Sequence, residues 1–234
     1  MDDARTAQVE AVAALAEPTR RRLYEHVVRQ AGPVSRDDVA SAMGVPRPTT
    51  AFHLDRLVAD GLLDVHYERR SGRTGPGAGR PAKLYRRAEC SVSVSLPERR
   101  YDLAGELLAA ALAEAEQSGE RPAAVLDRRA FRRGSELAAD VGEESRDAAL
   151  RVLEEHGFEP RDDGNGIALA NCPFHVLARE HTELVCGMNL RLLEGVLDEL
   201  PAAGLVARLR PQPGMCCVRL ESTDGEPSRG LTAE

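Results

Sequence analysis

The tightest constraint on this chain is a succession of helix starts and stops between residues 32 and 61. Gly32-Pro33 ends one helical pattern. Ser35 then reads as an N-cap with Asp38 three residues on, an acidic variant of the capping box. The short helix carrying Val39, Ala40 and Met43 stops at Gly44, and Gly44-Val45-Pro46 makes a tight turn. A third helix follows from about Pro48 to Asp60. Its Thr50, Leu54, Leu57 and Val58 fall at i, i+4, i+7 and i+8, which gives one buried face, and Gly61 closes it. Upstream, Val9, Val12, Ala13 and Ala16 have helical spacing. Glu17-Pro18-Thr19 breaks that helix and opens the next, with Pro18 where a helix can begin. Downstream, Leu62 to Tyr67 predicts a strand, Glu68 to Pro81 a loop rich in Gly and Arg, and Ala82 to Tyr85 the pairing strand. Helix, helix, turn, helix and a two-stranded hairpin make a winged helix-turn-helix.

The charge distribution separates this module from the rest. The whole chain of 234 residues carries a net charge of −7, which looks wrong for a nucleic-acid binder. Residues 1–88, however, hold 15 Lys and Arg against 11 Asp and Glu, a net of +4. The remainder holds 16 against 27, a net of −11. Opposite signs in the two halves suggest a basic DNA module joined to an acidic partner domain. With 42% apolar residues and 29% charged ones, the chain is expected to fold as one large domain or two small ones. It has no apolar run approaching the ~20 residues of a membrane span. Its N-terminus is polar, so the expected location is the cytoplasm, with no membrane association.

On the third helix the buried face leaves Thr49, Phe52 and Arg56 pointing away, with His53 on the flank and Arg47 at the start. Such a helix lies in the major groove of double-stranded DNA with its N-terminal residues on base edges. Arg47 and Arg56 suit guanine or phosphate; Thr49 and His53 suit phosphate or bases. From Arg69 to Arg87 there are seven basic residues, Arg73, Arg80 and Lys83 among them, and no acidic one. A loop of that kind neutralises phosphates and can place an arginine in the minor groove.

Here the sequence resembles a family. Leu15-Ala16-Glu17-Pro18-Thr19-Arg20-Arg21-Arg22-Leu23 resembles the opening of ArsR-type regulators. His53-Leu54-Asp55-Arg56-Leu57-Val58-Ala59-Asp60-Gly61-Leu62 resembles their recognition helix running into the wing, and Gly79-Arg80-Pro81-Ala82-Lys83-Leu84-Tyr85 resembles the wing of a related group.

Beyond residue 90 the pattern predicts an α+β domain. Leu103 to Glu116 is a strongly apolar helix, a candidate linker or dimer helix. Arg128 to Val141 and Ser145 to His156 are two further helices. Phe158 to Pro160 and Ile167 to Ala170 flank Asp162-Asp163-Gly164-Asn165-Gly166, a hairpin turn. A long helix runs from His181 to Leu200. Leu205 to Leu209 and Cys216 to Leu220 complete an antiparallel sheet with helices packed on it. The fold class is therefore α+β, an N-terminal winged helix-turn-helix plus a C-terminal α+β domain. The expected divisions are 1–90 for DNA binding, 98–120 for the linker helix, 121–221 for the second domain and 222–234 for a tail.

Four of the five cysteines fall in this second domain: Cys172, Cys186, Cys216 and Cys217. A cytoplasmic chain does not ordinarily use them as structural disulfides, and the clustering favours metal or redox chemistry over simple packing. The spacing is too wide for a zinc finger and matches no compact ferredoxin run. Neighbouring strand residues point to opposite faces, so one of Cys216 and Cys217 is expected to face a site and the other to pack elsewhere. That predicts three cysteine ligands and a fourth of another kind, His175, His181, an acidic group or solvent. Cys90 is expected to be structural or incidental. The absence of Cys-x-x-Cys, nucleophile-elbow and phosphate-loop motifs argues against an enzyme.

Asn171-Cys172-Pro173-Phe174-His175, Leu184-Val185-Cys186-Gly187-Met188-Asn189, Leu192-Leu193-Glu194-Gly195 and Pro213-Gly214-Met215-Cys216-Cys217 resemble the C-terminal half of SufR-type regulators. With the wing, that resemblance covers most of the chain. It implies a homodimeric repressor of iron–sulfur cluster assembly genes, with a cysteine-bound iron–sulfur cluster, of four-iron type (4Fe-4S), whose loss releases the operator. The main alternative is a winged-helix regulator whose second domain binds zinc or a small organic ligand. A plain protein-interaction module with buried cysteines is a third reading.

Overall fold

The structure, a computed structural model, describes residues 2–68, 81–142, 145–164 and 166–223. It divides into two compact units, Met1–Val94 and Ser95–Glu234. Among the described residues no helix is long and apolar enough to cross a membrane.

In the N-terminal unit, α1 (Asp2–Ala14) and α2 (Pro18–Val28) meet at Glu17. The Glu17 carboxylate caps α2 by accepting from the Thr19 and Arg20 N–H groups at 3.0 and 2.5 Å, and Pro18 needs no partner at the first helical position. β1 (Val34–Ser35) leads into α3 (Arg36–Met43). There the expected capping box is formed: Asp38 N–H donates to Ser35 Oγ and Ser35 N–H donates to Asp38 Oδ2, each at 3.2 Å. Gly44 ends α3 with φ +63°, a left-handed position that suits glycine. α4 (Arg47–Ala59) follows, then β2 (Leu63–Glu68) and β3 (Ala82–Arg87), which pair antiparallel with Val65 opposite Tyr85. β1 adds to β3 as a third strand. Leu23, Val27, Val39, Leu54, Leu57, Leu62, Leu63 and Tyr85 form the core.

The C-terminal unit contains α5 (Tyr101–Ser118), α6 (Pro122–Ala138), α7 (Arg146–Glu155), β4 (Pro160–Asp162), β5 (Gly166–Leu169), α8 (His175–Glu180), α9 (Thr182–Asp198), β6 (Leu205–Leu209) and β7 (Val218–Ser222). The sheet order is β4-β5-β7-β6, with every pairing antiparallel. This is the α+β architecture expected. α5 is not a free-standing linker: Leu103, Ala104, Leu107, Ala111 and Ala115 lie in the same core as the sheet. α6 starts six residues before the expected Arg128, because Pro122 opens it after Arg121. The last strand starts at Val218 rather than Cys216 and takes in Ser222, which the sequence had assigned to the tail.

The tightest packing in this unit is the crossing of α6 and α9. Gly134 and Gly195 lie against the partner helix's backbone: a Cβ at Gly134 would sit 1.9 Å from the Leu192 carbonyl oxygen, and one at Gly195 1.9 Å from that of Phe131. Ser135 Oγ donates to the Gly195 carbonyl at 3.3 Å across the same contact.

Candidate nucleic-acid interface and cysteine centre

α4 presents Arg47, Thr49, Phe52 and Arg56 to solvent, as the apolar spacing required. Phe52 is 64% exposed. The two arginines are held by carboxylates: Arg47 Nε lies 2.6 Å from Asp37 Oδ1 of α3, and Arg56 Nε 3.0 Å from Asp60 Oδ2 one turn on. The Arg47–Asp37 pair is exposed on both sides and worth little, so a phosphate can displace it, whereas the Asp60 carboxylate is largely buried.

His53 differs from expectation. It is 9% exposed, and its Nδ1 accepts from Arg20 Nε at 3.5 Å and lies 3.6 Å from Glu17 Oε2. Its place between Thr50 and Leu57 puts it on the buried stripe of α4. It joins that helix to the capped start of α2 rather than facing outward.

Lys83 also has a partner that the sequence did not reveal. Its Nζ bonds to Asp55 Oδ1, which accepts from Tyr85 Oη at 2.8 Å as well, and the ammonium sits 5.1 Å from the Tyr85 ring centre. This trio ties the exposed side of α4 to wing strand β3. Burial pushes the Asp55 carboxyl up, but the hydrogen bonds from Lys83 and Tyr85 and the Lys83 charge outweigh it, leaving the group below its ordinary value. Both side chains are more than a third exposed, 55% for Asp55 and 37% for Lys83, so the pair is screened. Asp55→Asn is therefore expected to cost the N-terminal unit about 0.5–1 kcal/mol at pH 7. A carboxyl held low contributes above its unfolded value and loses that contribution as pH falls through its folded value. The gap between wild type and Asp55→Asn should close below about pH 4. Thermal melts at pH 7 and pH 3 check this; equal melting at pH 7 would refute it. Arg73 and Arg80 lie outside the described residues.

In the C-terminal unit, four cysteines come together from three segments. Cys172 lies in the loop between β5 and α8, Cys186 in the second turn of α9, and Cys216 and Cys217 just ahead of β7. Cys172, Cys186 and Cys216 are buried and Cys217 is half-buried, while Cys90 is exposed. The thiols of Cys172 and Cys216 are close enough to shift each other's titration, and the Cys217 thiol acts on that of Cys186. Because the adjacent pair precedes the strand, the alternation of a pleat does not apply. It does not decide which member of the pair faces a site.

The four are not electrostatically alike. The Cys216 hydrogen bond holds the Cys172 thiol below its ordinary value against the opposing effect of burial, helped by the Phe174 N–H and the Arg99 charge. The hydrogen bond to Cys172, then burial, push Cys216 far up. Burial first, and then Cys217, push Cys186 up to about 12. Of these three, only the Cys172 thiol is held below its ordinary value. Its loop is fastened from behind. Arg99 donates to the Cys172 carbonyl at 3.1 Å and to Asn171 Oδ1, and Arg100 N–H donates to the Pro173 carbonyl at 3.1 Å. Asn171, 5% exposed, donates through Nδ2 to the carbonyls of Glu98 and Gly157 at 3.0 and 2.6 Å. Sequence reasoning missed Arg99 and Asn171; their partners are some 70 residues apart along the chain.

His175 and His181 are exposed, at the start of α8 and just before α9. His175 lines a shallow hollow with Cys172, Arg99, Asn171 and Met215. Among the described residues, no group of three or more His, Cys, Asp or Glu side chains has the closeness that would hold a metal ion.

Residues 15–66 match the family model described as a helix-turn-helix domain. No curated protein and no solved structure matches the chain. The match covers α2 to α4 and most of β2, with α4 in the place of the reading helix. The chain carries the DNA-binding domain of a winged helix-turn-helix transcription regulator.

Proposed function

We propose that this winged helix-turn-helix protein is an iron–sulfur-sensing transcriptional repressor that binds its operator as a homodimer, with genes of iron–sulfur cluster assembly as its target. The observation that carries this reading is the gathering of four thiols, three of them buried, in a chain whose other unit is a DNA-binding domain. Its likeness to SufR-type regulators in the segments around those cysteines supports it further.

The donor set suits an iron–sulfur cluster better than a single ion. Four cysteine thiolates are the usual ligands of a four-iron cluster, and such a body is held at its corners rather than at one point. Cys172, Cys186, Cys216 and Cys217 would hold it, and when bound it supplies a link between three segments that oxidants or iron shortage can remove. With four thiolates as ligands, His175 and His181 would be second-choice ones.

The chain's own residues supply the rest. Arg99 favours the thiolate at Cys172 and fixes the backbone of its loop. Asn171 and Arg100 bind that loop to residues 98–100, the first stretch of the C-terminal unit. The state of the Cys172 loop is thereby passed to the segment that enters α5.

The test is metal and sulfide content on protein purified without air, followed by DNA binding. About four irons and four sulfides per chain are expected, with operator binding lost or weakened at least tenfold in Cys172→Ser. Zinc alone, or tight binding by the serine variant equal to that of wild type, would overturn the sensor reading and leave DNA binding standing.

A further inference from the structure

Asn189 is a polar side chain in the core of the C-terminal unit. It lies on α9 one turn after Cys186, is 2% exposed, and is flanked on its helix by the buried Met188, Leu192 and Leu193. Its Nδ2 donates to Cys216 Sγ at 3.3 Å, while its Oδ1 has no hydrogen-bond partner among the described residues. A buried amide whose oxygen is unpaired is costly to keep. An apolar residue would avoid that cost at this place.

A neutral thiol does not compensate well, because its sulfur is a weak acceptor. A sulfur carrying negative charge is a much better one, since hydrogen bonds to charged groups are roughly twice as strong. The amide is thus poorly matched to a free Cys216 and well matched to Cys216 bound to a metal.

We propose that Asn189 is a positioning residue of the cysteine centre: its amide N–H holds the metal-bound sulfur of Cys216, selects that sulfur as a ligand, and raises the reduction potential of the bound centre. This rests on reading the four thiols as a metal centre. Hydrogen bonds to cluster sulfurs are among the determinants of potential, and each favours the more negative, reduced form. Cys217, half-buried and in contact with Cys186, has no such donor described.

The test uses the full-length protein, purified without air, as wild type, Asn189→Leu and Asn189→Asp. Leucine keeps the volume and removes both the donor and the unpaired oxygen. Aspartate keeps the shape and sets an acceptor against the sulfur. Three quantities are read: the rate of metal loss to a chelator, the midpoint potential, and the melting temperature of the metal-free protein. In Asn189→Leu, metal loss is expected to be about tenfold faster and the potential more negative, while the metal-free protein melts no lower than wild type. Asn189→Asp should lose metal faster still. A purely structural role would lower the melting temperature and leave the potential unchanged, and that result overturns the proposal. So does metal loss at the wild-type rate in Asn189→Leu. If wild type carries zinc in place of iron, the iron–sulfur reading falls, but faster zinc loss from Asn189→Leu still supports a donor to the bound sulfur. Protein with no metal at all overturns both.

Discussion

Adding one methyl group at Gly195 is expected to destabilise the C-terminal unit by about 3 kcal/mol or more, enough to unfold it in much of the population. The new Cβ would lie 1.9 Å from the Phe131 carbonyl oxygen and 2.9 Å from Ser135 N. Both are backbone atoms, so no flexible side chain can give way. The helices must separate, and the contacts that Met188, Leu192 and Val196 make in the core weaken together. Gly187→Ala is the control. It lies on the same helix with nothing within 4 Å of its Cβ position. There alanine should stabilise by about 0.5–1 kcal/mol, the ordinary gain of replacing a helical glycine. Urea unfolding followed by circular dichroism on both variants decides the matter. Effects of the same sign would mean that the crossing is not as tight as described.

Asn171→Asp is expected to have the second largest effect, a loss of about 2–4 kcal/mol and, on the proposed reading of the cysteine centre, of most of its metal. The side chain spends its two N–H groups on the carbonyls of Glu98 and Gly157. A carboxylate keeps the Arg99 partner but turns an oxygen towards those carbonyls, replacing attraction by repulsion in a buried place. The Cys172 loop must then move away from residues 98–100. Melting temperature and iron content of the variant report the two effects. A variant with wild-type stability would show that the loop is held by Arg99 and Arg100 alone.

Legibility in the sequence followed the range of the interactions. The caps at Glu17, Ser35 and Gly44 act within a few residues, and the helices they bound were readable. So was the exposed side of α4, because it is the complement of a periodic apolar stripe. His53 escaped because a polar residue on that stripe is read as flanking, whereas its imidazole is taken up by Arg20 of α2 and by Glu17, the cap of that helix. The Asp55–Lys83–Tyr85 trio joins residues about 30 apart, and the glycines at the helix crossing are 61 positions apart. Local pattern carries no trace of either. The cysteines were found by chemistry, since thiols on a loop, a helix and a strand entrance are conspicuous. The pleat argument for the adjacent pair rested on a strand starting at Cys216, whereas the strand starts two residues later, at Val218.

The glycine crossing also divides the cysteine centre into a fixed jaw and moving ones. α9, with Cys186 and Asn189, is clamped to α6 backbone against backbone and has almost no play. Cys172 and the Cys216-Cys217 pair sit on irregular chain. A ligand gained or lost by these thiols, as proposed above, would shift those segments rather than the helix. Of the two, the Cys172 segment is sewn to residues 98–100, where the chain has just left the DNA-binding unit. A movement of the Cys172 segment would therefore be felt first at the entrance of this domain rather than at its far end.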